Sequence, residues 1–286
     1  MATLVSSLLG DSGEALARMQ RMVIVASACS PETVACLQAL READGRIKLI
    51  VEERRRGKAD AINKILSSLE TPTILLVNSD ARPEPGAIAR LLSTMGSDEK
   101  IGAVSAVPVP EERTGLMSSL LGLMWGAHND CSVALNHMNI SNHACDELVL
   151  FRKSAISALP NNTVNDGAFF AGTARLRGYS IKVSAGARVR IKTPGRITDV
   201  ISQRRRILFG HLQVWQRIGA PPKTIESLLF ISPTTSLSLL VSTLARRPRS
   251  ILALPVALVS EMCAVILSIL DTVRSTQAHT VWRRIS

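Results

Sequence analysis

Residues 73–86, TILLVNSDARPEPG, constrain the fold more than any other stretch of the chain. Residues 74–77 form a short apolar run between turn-forming residues, which is typical of a strand buried in a parallel sheet. The run stops at Asn78, and two prolines and a glycine soon force a turn. Open α/β sheets bind ligands just beyond the carboxyl ends of such strands. Asp80 therefore lies where a ligand site is expected.

The carboxylate of Asp80 has two interpretations. Carboxylate oxygen suits a hard divalent cation such as Mg²⁺ or Mn²⁺, which can bridge phosphates. Alternatively, Asp80 caps the helix predicted over residues 85–94 or closes an Asx turn. This stretch alone leaves both open.

Short apolar runs at residues 22–26, 47–51 and 101–107 predict further strands. Helix patterns lie between them, and another helix is predicted over residues 4–20. Strands that alternate with helices predict an α/β fold with a mostly parallel, Rossmann-like sheet and helices on both faces. We place the domain boundary between residues 1–222 and a hydrophobic tail over residues 223–286.

Two polar segments are candidate site elements. In RRRGK, residues 54–58, Gly57 frees the backbone, Lys58 supplies a point charge, and the next helix offers N–H donors to a phosphate. A solvated basic turn is the commoner outcome for such a segment, and the Walker spacing is absent. Asp166 precedes the apolar helix predicted over residues 168–177. It can be a helix cap, or a carboxylate that takes a proton from an acceptor hydroxyl.

The amino-acid composition limits the classes of molecule that the chain is expected to bind. The net charge of +11 indicates a polyanionic partner, namely nucleotide phosphates, nucleic acid or an acidic membrane. Nucleic acid is disfavoured because the chain has only one tyrosine and five phenylalanines, which provide few aromatic side chains on which bases could stack. The five cysteines contain no CxxC pair, which favours free thiols. A zinc site fits no usual ligand spacing; its candidate residues are His128, Cys131, His137, His143 and Cys145.

A basic helix is predicted over residues 200–215, with Gln203 followed by three arginines. Adjacent helical residues point about 100° apart, so at most one or two of these arginines can aim at a diphosphate. We expect the others to meet lipid phosphates or water.

The tail contains two apolar runs, residues 228–245 and 251–270, separated by an arginine-rich turn. Each approaches the length that spans a bilayer, although buried core helices would also explain them. If both crossed, the turn at 246–249 would lie opposite a cytoplasmic catalytic domain, against the positive-inside tendency. An interfacial helix pair avoids this conflict. We predict a membrane-associated tail with the catalytic domain on the cytoplasmic side.

The order of these motifs resembles the family 2 glycosyltransferases of GT-A fold over about residues 20–215. The segments that carry the resemblance are GKADAIN (57–63), LLVNSDARPEPGAIARL (75–91), ELVLFRKSAISALP (147–160), NDGAFF (165–170), GYSIKVSAGARV (178–189) and QRRRI (203–207). The resemblance implies an inverting hexosyltransferase-type enzyme that uses a nucleotide sugar, Mg²⁺ or Mn²⁺, and a hydroxyl acceptor compatible with a lipid.

The resemblance also implies the role of each site residue. Asp80 would be the metal ligand of the DxD motif, and Asp166 the catalytic base. The residues expected to contact nucleotide and substrate are Lys58, Asn63, Asn78, Gln203 and Arg206.

Several positions depart from the family pattern. Asn78 replaces the first aspartate of DxD, and Ile207 replaces a tryptophan. The loop at residues 26–28 lacks the usual nucleotide-binding aspartate, and the family's first strand has no counterpart. We therefore expect an incomplete sheet at that place. The alternative function is a catalytically inactive membrane scaffold or partner subunit of the same fold.

Overall fold

A computed structural model describes residues 4, 5, 8, 17–274 and 279–281. The helix predicted over residues 4–20 lies largely outside them. The strands are β1 (Met22–Ser27), β2 (Ile47–Glu52), β3 (Thr73–Val77), β4 (Arg82–Pro83), β5 (Ile101–Pro110), β6 (Leu148–Arg152) and β7 (Ser180–Ile191). The α-helices are α1 (Pro31–Ala43), α2 (Lys58–Ser67), α3 (Ala87–Gly96), α4 (Gly115–His137), α5 (Asp166–Leu176), α6 (Ile197–Ile218), α7 (Ile225–Ile231), α8 (Pro233–Arg246) and α9 (Leu254–Arg274). Two 3₁₀ helices cover Lys153–Ala155 and Pro248–Ala253.

The central sheet has the order β3-β6-β5-β7-β4. It confirms the α/β fold class but is mixed, whereas we expected a mostly parallel sheet. β5 and β7 are parallel, while β6 runs antiparallel to both β3 and β5. The reason is that β6 enters the sheet at the edge where β3 ends, pairing Val77 with Leu148. A strand that enters from that edge must run in the opposite direction.

Helices cover both faces of this sheet, as predicted, and β3 illustrates why. Ile74 and Leu76 pack in one buried cluster with residues of α2 and α5. Leu75 and Val77 point to the other face and pack against the cluster that contains α3. Alternate side chains of a strand point to opposite faces, so this apolar run packs against helices on both sides of the sheet although β3 lies at its edge.

β1 and β2 form a separate parallel pair. Within the described residues, this pair shares no strand pairing with the five-stranded sheet. The sheet is therefore interrupted where the resemblance led us to expect a missing strand. Side-chain packing still joins the parts, because Val23 of β1 contacts the cluster that includes Ala59 and Ile62 of α2.

The tail packs against the rest of the chain through α4 and α6. Leu120, Leu121 and Leu123 of α4 form a buried cluster with Ala253 and Ala257 of the tail. Pro248–Arg274 is long and apolar enough to cross a membrane, judged by length and composition among the described residues. The boundary at residue 222 stays a prediction.

Candidate active site

Carboxylates from two strands meet at one edge of the sheet. Asp80 is exposed and follows the carboxyl end of β3. Asp146 and Glu147 precede β6, which starts at the same edge because it runs antiparallel. The backbone N–H of Asn78 donates to the carbonyl of Glu147 at 3.1 Å. This bond fixes the two loops side by side.

A further carboxylate comes from the start of α5. Asp166 is the first residue of the helix and only 4% exposed. The side chain of Asn165, not Asp166, caps the helix by accepting from Ala168 N at 3.0 Å. Asn165 therefore takes the capping role that we considered for Asp166. The Asp166 carboxylate is left to point into the acidic cluster.

Close backbone packing brings α5 to this position. A Cβ on Gly167 would lie 2.4 Å from the carbonyl oxygen of Ala144 and 3.0 Å from Cβ of Asp146. A Cβ on Gly210 of α6 would lie 2.7 Å from Cβ of Asn165. Only glycine fits at such distances, so these two glycines allow α5 to touch both the loop before β6 and α6.

Lys58 bridges two of the carboxylates. Its Nζ lies 2.5 Å from Asp146 Oδ2 and 3.0 Å from Asp166 Oδ1. The sequence led us to expect Lys58 to face nucleotide phosphates. In the structure its nearest charges are the two aspartates, which it holds together and keeps ionised.

Arg206 joins this cluster from α6. It lies within electrostatic range of Asp146, Asp166, Glu147 and Asp80. Burial lowers the pKa of Arg206 to about 10, against the opposing effect of these carboxylates. Asp80 and Asp166, the two predicted site carboxylates, therefore share Arg206 as a cationic neighbour.

The carboxylates of the cluster differ in proton affinity. Burial raises the pKa of Asp166 above its usual range, and the charge of Asp146 adds to this while Lys58 opposes it. Burial would also raise the pKa of Asp146, but the charge and hydrogen bond of Lys58 hold it well below its usual range. Burial and the charge of Asp146 raise the pKa of Glu147 to about 7. Asp166 is thus the better proton acceptor of the Lys58-bridged pair.

Asp146 is the site residue that sequence reasoning missed. Its only signal is an acidic pair directly before the apolar run of β6. That signal becomes informative only once β6 is known to start at the edge where β3 ends.

Two other predicted contact residues occupy different surroundings. The amide of Asn63 donates to the carbonyl of Leu159 and accepts from its N–H, each at 2.8 Å. A contact with nucleotide would have to break this pair of bonds, so we now assign Asn63 to holding the loop after β6. Gln203 lies one turn before Arg206 on α6, and residues at this spacing share a helix face.

The three arginines of α6 diverge, as their spacing predicts. Arg204 lies 2.5 Å from both Glu226 and Glu261, and Arg205 lies 2.5 Å from Asp271. We expected these two to meet lipid phosphates or water, and that expectation is wrong. Both are paired with carboxylates of α7 and α9, because the apolar tail folds back along α6.

The histidines do not form the zinc site considered above. Among the described residues, no three His, Cys, Asp or Glu side chains are placed to hold a metal ion. Instead, the rings of His128, His143 and His211 stack edge to face with centroids 5.9 and 5.4 Å apart. Burial lowers the pKa of His128 and His211 to about 3, so these rings are neutral. All five cysteines are free.

A divalent cation fits this site only with a single protein carboxylate. Asp80 is exposed at the strand end, with the side chain of Asn78 two residues before it. Mg²⁺ and similar ions are commonly held by one or two carboxylates together with substrate phosphates and water. The surplus of negative charge around Arg206 also favours a cation.

Comparison with known proteins identifies the family. The model of glycosyl transferase family 2 matches residues 8–159, more than half of the chain. The chain belongs to this family. The matched part of this glycosyl transferase includes β1 to β6, with Lys58, Asp80 and Asp146. Comparison with the curated proteins gives no significant match.

One solved structure confirms the GT-A fold of this family 2 chain. The mannosyltransferase PcManGT from Pyrobaculum calidifontis, in complex with GDP-Man and Mn²⁺, matches with a TM-score of 0.62 and 18% identity. The match covers 96% of this chain and 84% of the other. A weaker match is GalNAc-T7 with UDP, GalNAc and Mn²⁺, at a TM-score of 0.48 and 9% identity over 74% of this chain and 44% of the other.

Proposed function

We propose that this family 2 chain is an active, inverting glycosyltransferase that moves a hexose from a nucleotide sugar to a hydroxyl acceptor. The observation that carries the proposal is the convergence of Asp80, Asp166, Lys58 and Arg206 on one edge of the sheet. This arrangement supports a donor site with Asp80 and Asp166, which are far apart in sequence, on either side of the bound sugar.

Asp166 acts as the general base. It removes the proton of the acceptor hydroxyl as the oxygen attacks the anomeric carbon, and the bond from that carbon to the diphosphate oxygen breaks. Apart from its ion pair with Lys58, the buried Asp166 Oδ1 has no hydrogen-bond partner within the described residues. It therefore has the capacity to accept a hydrogen bond from an acceptor hydroxyl that enters the site. Lys58 keeps this carboxylate ionised at neutral pH.

Arg206 stabilises the negative charge that develops on the leaving diphosphate. Gln203 assists from the same helix, and Asn78 assists from the end of β3. A Mg²⁺ or Mn²⁺ ion held by Asp80 would neutralise part of that charge when bound. We further propose that the tail holds the chain at a membrane with the catalytic domain on the cytoplasmic side, and that the acceptor is borne by a lipid. One tail helix that is long and apolar enough to cross a membrane supports this.

A second candidate function is a catalytically inactive scaffold of the same fold. It is supported by the break between the β1–β2 pair and the main sheet, and by Asn78 at the first DxD position. Both features weaken the side of the site where a nucleotide would lie.

Calorimetric titration separates the two candidates. The purified chain is titrated with UDP- and GDP-sugars, with Mn²⁺ or with EDTA. We expect Mn²⁺-dependent binding of at least one donor, weakened in Asp80→Ala and retained in the control Glu99→Gln, an exposed surface position. Absence of metal-dependent binding to every donor supports the scaffold and contradicts the enzyme.

A further inference from the structure

Helix α9 has two contrasting faces. Small and polar residues spaced three or four apart are buried toward the protein, namely Ala257, Ser260, Ala264, Ser268 and Asp271. Large apolar residues on the other side are exposed to between 39% and 81%, namely Leu258, Val259, Met262, Val265, Ile266, Ile269, Leu270 and Val273. Soluble monomers rarely expose so continuous an apolar face.

Adjoining tail elements extend this apolar exposure. In α7, Phe230 is 90% exposed, and in the 3₁₀ helix before α9, Leu252 is 81% exposed. Leu237 and Val241 of α8 are also exposed. We call residues 227–274 the docking segment.

Charges on the docking segment favour an anionic partner. Its acids are Glu261 and Asp271, and both are paired with arginines of α6. Arg249 is exposed between its apolar elements and Arg274 is exposed at the end of α9, while Arg246 and Arg247 pair with Asp130 of α4. Apolar side chains flanked by arginines complement acyl chains beneath anionic headgroups.

The ion pairs determine how α9 can lie. Glu261 and Asp271 are ten residues apart, about 15 Å along the helix, and each is bound to α6. If α9 crossed the bilayer, it would have to leave α6 and carry both carboxylates into hydrocarbon without their partners, which is costly.

We propose that the docking segment binds the surface of an anionic bilayer with α9 in the membrane plane. The apolar face of α9 enters the headgroup and acyl boundary, while the face with Glu261 and Asp271 stays on α6. The helix that would span by length alone therefore lies flat.

The in-plane orientation of α9 determines how far the active site lies from the membrane surface. α6 touches α9 through Arg204 and Arg205 and reaches the catalytic cluster through Arg206. Packed helix axes lie about 8–10 Å apart, so the site stands roughly one helix layer above the membrane. Resting on the proposed function, this placement selects a lipid-borne acceptor with its hydroxyl close to the headgroups.

Vesicle flotation tests the docking. Full-length protein is mixed with phosphatidylcholine vesicles, with or without phosphatidylglycerol. We expect flotation with phosphatidylglycerol, reduced by salt, and about tenfold weaker binding for Ile266→Asp, since an exposed apolar anchor is lost. The control for Ile266→Asp is Leu176→Asp, which changes an apolar residue that is 70% exposed outside the docking segment. A second pair tests charge: Arg249→Gln should weaken binding, and its control Lys100→Gln, an exposed lysine outside the docking segment, should not.

Asp166→Asn should float like the wild type, so the docking and the transferase activity can fail independently. Failure of the wild type to bind either vesicle, with a concentration-dependent dimer in sedimentation, would mean that a second copy covers the apolar face. Equal loss of binding in Leu176→Asp and Ile266→Asp would also overturn the proposal.

Depth measurement tests the orientation. A fluorescent amino acid is placed in turn at Leu258, Ile266 and Val273, and its quenching is measured with lipids brominated at different acyl positions. An in-plane helix gives the same shallow depth at all three positions. A deep Ile266 between two shallow neighbours would show a spanning helix and contradict the proposal.

Discussion

Three consecutive arginines on α6 serve two different regions. Arg204 and Arg205 face the tail, where Glu226, Glu261 and Asp271 pair with them at 2.5 Å. Arg206 faces the sheet edge, where four carboxylates share one arginine and Lys58. Three carboxylates face two arginines at the contact between α6 and the tail, whereas four carboxylates face one arginine and Lys58 at the sheet edge.

The larger excess of carboxylates at the sheet edge indicates a different role for that region. The ion pairs between α6 and the tail hold these elements together, and each arginine there has its own carboxylate partners. An excess of carboxylate is unfavourable unless a proton or a cation is present. The sheet edge is therefore the region prepared to bind a cation and to exchange a proton, and the tail is the region built to stay in place.

The largest expected effect is the loss of transfer activity when the general base is removed. Asp166→Asn removes the general base, and we expect transfer to fall about 10²- to 10⁴-fold while donor binding stays nearly unchanged. Initial rates and calorimetric donor titration measure the two quantities. Turnover at a normal rate would show that another group accepts the proton.

Arg204→Ala should affect stability most. It leaves the half-buried carboxylates of Glu226 and Glu261 without their cation, and the loss of the two charged hydrogen-bonded pairs should cost about 2–4 kcal/mol. The free energy of unfolding, measured with urea, reports the loss. Arg206→Gln is the matched variant, and we expect little change in stability with a large loss of rate. Equal destabilisation of both would remove the distinction between the regions.

The pH dependence comes from the same cluster. Burial raises the pKa of Asp166 to about 6. Because only the ionised carboxylate accepts a proton, activity should be full above that pH and fall as the pH drops through it. The profile of kcat/KM against pH measures this. An inflection near 4, the ordinary value for aspartate, would place the base outside the buried cluster.

The smallest expected effect concerns Asn63. Asn63→Ala removes two hydrogen bonds to Leu159 and should destabilise the fold by about 1–3 kcal/mol, with donor affinity almost unchanged. Urea unfolding and donor titration distinguish the two. Weaker donor binding at unchanged stability would restore the nucleotide contact first expected for this residue.

Local patterns in the sequence predicted much of this architecture. The apolar run of β3, the polar residues that follow it, and the divergence of adjacent arginines all depend on short-range geometry. Asp80 and Asp166 were predicted as site residues because each adjoins a recognisable strand end or helix start, and their roles stay predictions.

What the sequence did not reveal depends on long-range pairing. The antiparallel direction of β6 places Asp146 beside Lys58, 88 residues earlier. Asn63 meets Leu159 across 96 residues, and Arg205 meets Asp271 across 66. Partners so far apart in sequence leave no periodic pattern, and each matters only once the sheet order is known.

A crystal structure with a nucleotide sugar and Mn²⁺, with the metal located by its anomalous signal, tests the shared cluster most directly. We expect Mn²⁺ bound to Asp80 and to the diphosphate, and the Asp166 carboxylate facing the anomeric carbon across one cleft. Mn²⁺ bound away from Asp80, or a donor with its anomeric carbon turned away from Asp166, would contradict the proposed enzyme.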